Sequence, residues 1–306
     1  MPIEVKGKIE KVAIVPNNFP HKVLVSGSLY KMTINEKINK HYLLCYLISK
    51  YGQAFKNRYS SNLLIAFLSK YDLYKMPIPI FSNTFQTKIE SIVLAAHEKR
   101  ETSQNLYKSA ETQLLSALGL ENYTPSQENI QVKSFKDSFL SSGRLDAEYY
   151  QPKYEEIEQK IKNYAGGWDF LGNQILSIDT GEYSSYYLNK AKGLTFFIRN
   201  TNIKNGFLET ATTHFVAAKD FKRFVSTGDI LTTRVGSIGS FGIVTEKFNG
   251  SVFSDNVLKI RLKNNLLPEI YTLYFNSWPN QKLMERITGG SVQPLVTKTT
   301  LKQIVI

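Results

Sequence analysis

The chain has 306 residues, 42% of them hydrophobic, enough for two packed domains or one large one. Its formal charge of +12 at pH 7 favours a polyanionic partner over an acidic or neutral one. A single cysteine, Cys45, excludes an internal disulfide, no run approaches the ~18 apolar residues of a membrane span, and residues 1–6 show no secretory signal, all of which suits a cytoplasmic protein.

The charge is unevenly spread. Residues 1–80 carry +8, residues 81–120 are neutral, residues 121–170 carry −3 and residues 171–306 carry +7. Two basic blocks separated by neutral and acidic stretches suit a polyanion held at two places.

In chain order, the hydrophobic pattern predicts strands over 10–16 and 22–34, a helix over 40–58 with Cys45 as a buried thiol, a loop at 60–62 and an extended segment over 75–81. Residues 82–118 contain neither proline nor glycine and read as one helix about 55 Å long, stopped by Gly119. Steps of four and three along it meet Phe85, Ile89, Ile92, Ala96, Leu106 and Ala110, with polar interruptions at Lys99 and Ser103 and with Leu114 widening the stripe. That is a heptad-like seam seeking a partner helix; a core helix of a globular domain is the alternative. A polar connector follows, and Pro152 opens a helix to about residue 164. Strands are expected at 196–198, 230–235, 241–244 and 252–262, then a helix over 269–286 ended by Gly289 and Gly290, and a last strand near 301–306. The expected fold class is α/β (α+β): a strand-rich domain with helices, a coiled-coil-type spacer helix and a partial second domain.

The sequence also repeats itself. Residues 6–15 align with 235–244 at an offset of 229, matching Gly7 with Gly236, Ile9 with Ile238, Ile14 with Ile243 and Val15 with Val244. From residue 23 to 78 the offset is 228 without a gap, and Ser26, Lys31, Tyr46, Ser49, Gln53, Arg58, Lys70, Leu73 and Ile78 recur as Ser254, Lys259, Tyr274, Ser277, Gln281, Arg286, Lys298, Leu301 and Ile306. An unbroken register of this length indicates a duplicated module. On this pattern a partner for the 82–118 helix would begin near position 310, and the head of the first module would precede residue 1.

Catalytic chemistry is hard to find. His21, His41, His97 and His214 show no metal spacing, and one cysteine makes a zinc site a poor reading. No phosphate-binding Gly-x-x-x-x-Gly-Lys-Ser/Thr loop occurs, and the glycine-rich 236–239 segment between two strands reads as a tight turn. Glu4-Val5-Lys6 has the Glu-x-Lys spacing of a nuclease centre without a preceding aspartate, and no Asn/Asp-Pro-Pro-aromatic segment of an adenine methyltransferase is present. No nucleophile, base and orienting group assemble, so the chain reads as a binder with no metal and no cofactor.

One group of segments resembles a known family. Arg144-Leu145-Asp146-Ala147-Glu148-Tyr149-Tyr150 with Pro152-Lys153-Tyr154 is similar to the start of a target recognition domain in the specificity subunit of type I restriction-modification enzymes. Phe197 to Ile203, Gly228 to Gly236, Phe253-Ser254-Asp255-Asn256 and Gly289 to Leu295 are similar to later parts of that family, in the family's order. The resemblance implies a tail of one recognition domain over 1–81, a conserved spacer helix over 82–120, a connector over 121–144 and a complete recognition domain over 145–306. It implies a non-catalytic subunit that binds double-stranded DNA at a bipartite site and docks methyltransferase subunits, and through them a restriction subunit. It also implies an antiparallel partner for the spacer helix. With one such helix here, a homodimer through 82–118 is expected, or a methyltransferase subunit on the same seam. A remnant that only docks on the methyltransferase is the alternative.

DNA contacts are expected on polar loops around 180–206, 232–240 and 286–298. Arg199, Lys204, Arg234, Lys247 and Lys298 are the candidate phosphate ligands. Asn200, Gln293, Ser185 and Tyr186 are the candidate base readers, with Tyr183 in the same polar aromatic run. Arg234 has an alternative as a structural partner of Asp229 or Asp255.

Overall fold

The computed structural model describes residues 1–16, 19, 22, 24–61, 64–210, 212–236, 238–288 and 295–306. The chain divides into two compact units, Met1–Leu106 and Tyr107–Ile306.

In the first unit, β1 (Pro2–Glu4) pairs antiparallel with β2 (Leu29–Lys31), and the sheet carries α1 (Lys40–Ile48), α2 (Lys50–Tyr59) and α3 (Lys70–Tyr74). Ile3, Val5, Leu43, Leu47, Leu68 and Met76 form its buried centre. Asn39 starts α1 by accepting the backbone N–H groups of His41 and Tyr42 on its side-chain oxygen. Ser49 both ends α1 and starts α2: its N–H bonds Cys45 and Tyr46 carbonyls, and its Oγ accepts from Gly52 N. Cys45 is half-buried rather than buried, and desolvation pushes its thiol above its ordinary pKa.

The long helix α4 spans Asn83–Ala117. In the first unit, Gln86 is buried and its side chain accepts from Asn39 N at 2.8 Å and donates to Phe81 O at 2.9 Å. His41 Nδ1 lies 2.7 Å from Glu90 Oε1, and Phe85 packs against Tyr42 and Phe81. In the second unit, Leu115 and Leu120 are buried and Gly119, at φ +66°, turns the chain out of the helix. Between these anchored ends Ile92, Leu94 and Leu106 are exposed.

The second unit opens with α5 (Phe139–Ser142), α6 (Pro152–Lys162) and α7 (Leu171–Gln174). Strands follow as β3 (Ile175–Thr180), β4 (Leu194–Ile198), β5 (Ile203–Lys204), β6 (Phe207–Leu208), β7 (Phe215–Ala217), β8 (Ile230–Thr233), β9 (Phe241–Ile243), β10 (Val252–Phe253) and β11 (Val257–Leu262). The unit closes with α8 (Pro268–Asn276), α9 (Trp278–Ile287) and α10 (Lys298–Lys302). An antiparallel sheet runs in the order β3-β11-β8-β9, a mixed sheet in the order β10-β4-β7 with β10 parallel and β7 antiparallel to β4, and β5-β6 is a hairpin. The central strands are buried on both faces. Ile230, Leu258 and Ile260 point into a core shared with α6, α8 and α9, while Leu231 and Val257 point into a second core with Ile198 and Phe253. Asp229 sits at the head of β8 under a bidentate clamp from Arg261, Nε to Oδ1 at 2.7 Å and Nη2 to Oδ2 at 2.9 Å.

The duplication is realised bond by bond. At the offset of 228, α1, Ser49, α2 and α3 map residue for residue onto α8, Ser277, α9 and α10. The pairs Ile3–Tyr30 and Ile3–Val12 recur as Thr232–Leu258 and Thr232–Phe241. Gln53 Nε2 donates to Glu10 and Leu47 carbonyls, and Gln281 Nε2 to those of Gly239 and Phe275. The hydroxyls of Tyr46 and Tyr274 donate at 2.6 Å to the carbonyls of Pro77 and Val305. Gly7 and Gly236 take the same left-handed φ, +95° and +87°, which a residue with a Cβ adopts only under strain.

Several expected boundaries shift. The helices expected over 40–58 and 269–286 are each broken at a serine whose Oγ bonds a carbonyl of the helix it ends. The strand expected over 252–262 is interrupted at 254–256, where the chain turns between two sheets. Among the described residues, of 10–16 only Val12 bridges, 22–34 is strand only at 29–31, and 75–81 is not strand. The expected strand near 301–306 is α10 followed by a single bridge at Val305.

Candidate nucleic-acid interface

Most of the described candidates lie in the second unit at the ends of strands and in the connections between them, with Lys204 on β5 and Lys298 at the start of α10. Gly181 follows β3, and a Cβ there would lie 2.2 Å from the carbonyl oxygen of Phe253. This close approach lets Glu182 bridge to Ser254 and sends residues 183–187 outward as a polar aromatic loop. Tyr183 is 74% exposed and Ser185 is exposed, whereas buried Ser184 holds the turn, its Oγ donating to Tyr186 O at 2.6 Å. Tyr186 donates its hydroxyl to the Asp220 carboxylate, and this hydrogen bond, which only the protonated phenol can make, holds the phenol above its ordinary pKa.

Tyr187, Arg199 and His214 pack together as one group of side chains. The Tyr187 and His214 rings lie 4.5 Å apart at an interplanar angle of 36°, and Tyr187 also rests on buried Phe197. The Arg199 guanidinium sits 5.6 Å from the Tyr187 ring and donates from Nη1 to His214 Nε2 at 3.2 Å. A planar cation held against aromatic rings before binding loses little freedom when it meets a phosphate or a guanine edge. Buried Asn202 supports it from behind, its Oδ1 accepting Arg199 N and its Nδ2 bonding the carbonyls of Glu209 and Thr212. Asn200 is half-buried and spends its side-chain oxygen on Thr201 N.

The other candidates lie elsewhere. Lys204, on β5, is paired with Glu209 at 3.0 Å. Exposed Lys247 lines a groove of about 510 Å³ with Lys190, Phe196 and Phe215. Arg234 is half-buried, its N–H bonded to Asn256 O and its carbonyl to Val296 N, so it sits beside the segment that leads into Lys298 at the start of α10. The clamp on Asp229 is Arg261, and Ser254 bonds Asp255, so neither acid pairs with Arg234. Gln293 lies outside the described residues.

The sequence placed Tyr187 in the polar aromatic run 183–187 that suits a contact loop, but passed over His214, together with exposed Lys190, Lys192, Lys222 and Arg223. Glu182 gathers the last two by accepting the backbone N–H groups of Lys222 and Arg223 at 2.9 and 2.7 Å. The basic turn at 189–193 was a usable signal; the Tyr187–His214 pair spans two separate loops and leaves none. Among the described residues no group of His, Cys, Asp and Glu could hold a metal, and no helix is long and apolar enough to cross a membrane.

Residues 173–306 match the family model of the type I restriction modification DNA specificity domain. No curated protein matches the chain. Three solved structures are distantly similar. One, from work on complex assembly and conformational transition of the type I R-M system, is 15% identical, covering 100% of this chain and 68% of that one with a TM-score of 0.36. The HsdS subunit of Thermoanaerobacter tengcongensis is 16% identical over 88% of this chain and 58% of its own, TM-score 0.36. A type I restriction-modification S subunit of M. genitalium is 12% identical over 99% and 70%, TM-score 0.36.

Proposed function

We propose that this chain, which carries a type I restriction modification DNA specificity domain over residues 173–306, reads double-stranded DNA as the non-catalytic specificity subunit of such a system. In this reading it presents methyltransferase subunits, and through them a restriction subunit, to a bipartite site in the cytoplasm. The observation that carries it is the pre-ordered Tyr187–Arg199–His214 group beside the outward 183–187 loop and the basic turns around Lys190 and Lys222. Arg199 and the exposed lysines are assigned to phosphates, and Tyr183, Ser185 and Asn200 to base edges. Mapping methylated sites by sequencing, in cells that express this chain with its cognate methyltransferase, gives the target, its symmetry and its half-site spacing. Methylation that shows no sequence preference would overturn the reading.

The exposed stripe of α4 extends the same proposal. Ile92 and Leu106 are 58% and 66% exposed, with Ala96 and Ala110 exposed between and beyond them. Such a seam is assigned to an antiparallel α4 of a second copy or to a methyltransferase subunit. Leu106→Glu is expected to abolish self-association in sedimentation or, where the chain alone is monomeric, to abolish methyltransferase capture. An unchanged assembly in both assays would remove the seam from the interface.

A further inference from the structure

Along the exposed stretch of α4 one side chain is withdrawn from solvent. Every residue from 94 to 110 is exposed except Tyr107, the first residue of the second unit. Its hydroxyl is buried and faces the Asn276 carboxamide, and this burial pushes the phenol above its ordinary pKa. Its ring lies against Gly206, at the tip of the β5-β6 hairpin, where a Cβ would come within 2.9 Å of it. The neighbouring seam residues Leu106 and Ala110 stay exposed, so the inward tyrosine serves something other than the seam.

Two routes lead from Tyr107 to the hairpin. One is direct, from ring to Gly206. The other passes through Phe241: the Asn276 side chain accepts Phe241 N at 3.0 Å and donates to Phe241 O at 2.8 Å, and the same carbonyl accepts Gly206 N at 2.8 Å. Ile203 and Leu208 sink the hairpin's strands into the core beside Leu231, and a Cβ on Gly242 of β9 would meet Phe207 O at 2.6 Å. The tip is therefore packed closely between α4 and β9. At the base of the hairpin, Asn202 O accepts Glu209 N at 2.9 Å, and Asn202 Nδ2 donates to Glu209 O at 3.0 Å. The same Asn202 side chain accepts Arg199 N at 2.9 Å and donates to the Thr212 carbonyl at 2.8 Å, just before His214. One tied piece of chain thus has Tyr107 at its tip and Arg199 and His214 at its base.

We infer that Tyr107 is a positioning residue for DNA reading: by setting the hairpin tip, it sets the loops that carry Arg199 and His214. The inference deepens the proposed function and rests on it, since the group that Tyr107 positions is the one assigned to DNA. It gives α4 a second task beside pairing. The helix that carries the exposed seam also presses on the hairpin, so that the arginine is already stacked when a duplex arrives. Such pre-ordering raises affinity by sparing the entropy of arranging side chains on binding.

The first readout needs no DNA. In the full chain, the ring-proton resonance of His214, identified by its loss in His214→Asn, reports the ring current of Tyr187 4.5 Å away. Tyr107→Leu keeps an apolar, helix-compatible residue and removes the flat face against Gly206. It is expected to shift the His214 resonance and to leave that of His41, in the first unit, unchanged. Tyr107→Phe, which retains the ring, is expected to keep the wild-type signal. The second readout is binding of a mixed-sequence DNA duplex. Tyr107→Leu is expected to weaken it about fivefold, and Tyr107→Phe by less than about twofold. In an Arg199→Ala background, Tyr107→Leu is expected to add less than about twofold, because it acts through the arginine; a merely structural role would multiply the two losses. Should Tyr107→Leu fail to fold by tryptophan fluorescence, Tyr107→Met, flexible and without a rigid face, takes its place with the same expectations. An unmoved His214 resonance, or losses that multiply in the double variant, overturns the inference. A wild-type chain that binds no duplex overturns the DNA reading instead, and the His214 resonance then decides the positioning role alone.

Discussion

Lys56 illustrates how the two copies settle the same position differently. Its ammonium is fully buried and donates to Glu10 O at 2.8 Å, while its counterpart at the offset of 228 is Met284, buried in the core of the second unit. Burial, partly opposed by Glu10 and Glu4, lowers the Lys56 pKa from 10.5 to about 8. A lowered lysine pKa means that below about pH 8 the folded state carries the cost of a buried charge. Between about 8 and 10.5 the unfolded chain binds the proton that the folded chain has released, so stability rises with pH across that window. Lys56→Met is expected to remove that rise and to stabilise the first unit by about 2 kcal/mol at pH 7. Urea denaturation at pH 7 and pH 10 checks both parts, and a variant with the wild-type pH dependence would mean that Lys56 is not the titrating group. Arg199 and Lys204 make a second contrast between neighbours in sequence. Arg199 is held against Tyr187 and His214, whereas Lys204 already has Glu209 as a partner. On duplex DNA, Arg199→Ala is expected to weaken binding about tenfold and to make the log–log salt slope shallower by about 0.9. Lys204→Ala is expected to change binding less than threefold, since the lysine must leave a carboxylate to reach a phosphate. Equal losses for the two variants would show that the ordered stack confers no advantage.

At the scale of elements, the loop most exposed to a partner depends on a residue with no side chain. At Gly181 the backbone passes so close to residues 253–254 that any Cβ meets two carbonyl oxygens within 2.3 Å. Gly181→Ala is expected to push β3 and the 182–187 loop away from that turn, costing about 2 kcal/mol in urea denaturation and weakening DNA binding with it. Retained stability with retained binding would show that the turn yields freely. Nothing in the residue pattern marked Gly181, because the carbonyls it must clear belong to a segment far along the chain. The features legible in the sequence were the local and the repeated ones: the unbroken helical run that became α4, and the register that relates α1–α3 to α8–α10 residue for residue. The helix breaks at Ser49 and Ser277 were hidden because a serine reads as neutral inside a helix until its Oγ is seen bonded to a carbonyl. The strand expected over 22–34 shrank to 29–31 because hydrophobic alternation reports a face to be buried and cannot report whether a neighbouring strand is there. The candidate site was legible as cations on loops, Arg199 among them, but its Tyr187 and His214 members meet only through folding.

For the molecule as a whole, the two copies of one module sit in very different cores. The described core of the first unit is one cluster of six buried hydrophobic residues beside a two-stranded sheet, while the second has separate clusters on both faces of a four-stranded sheet. Buried apolar area is the main favourable term in folding, so the first unit is expected to unfold at lower denaturant. The chain contains the means to see this. Its two tryptophans, Trp168 and Trp278, both lie in the second unit, so tryptophan fluorescence reports that unit alone, whereas far-ultraviolet circular dichroism reports the helices of both. Equilibrium urea unfolding is expected to show an early circular-dichroism phase with no fluorescence counterpart, followed by a later phase seen by both probes. Lys56→Met should move only the early phase, because the buried charge it removes lies in the first unit. Coincident transitions by the two probes would instead mean that the units unfold as one, with the anchoring of α4 at both ends as the element that couples them.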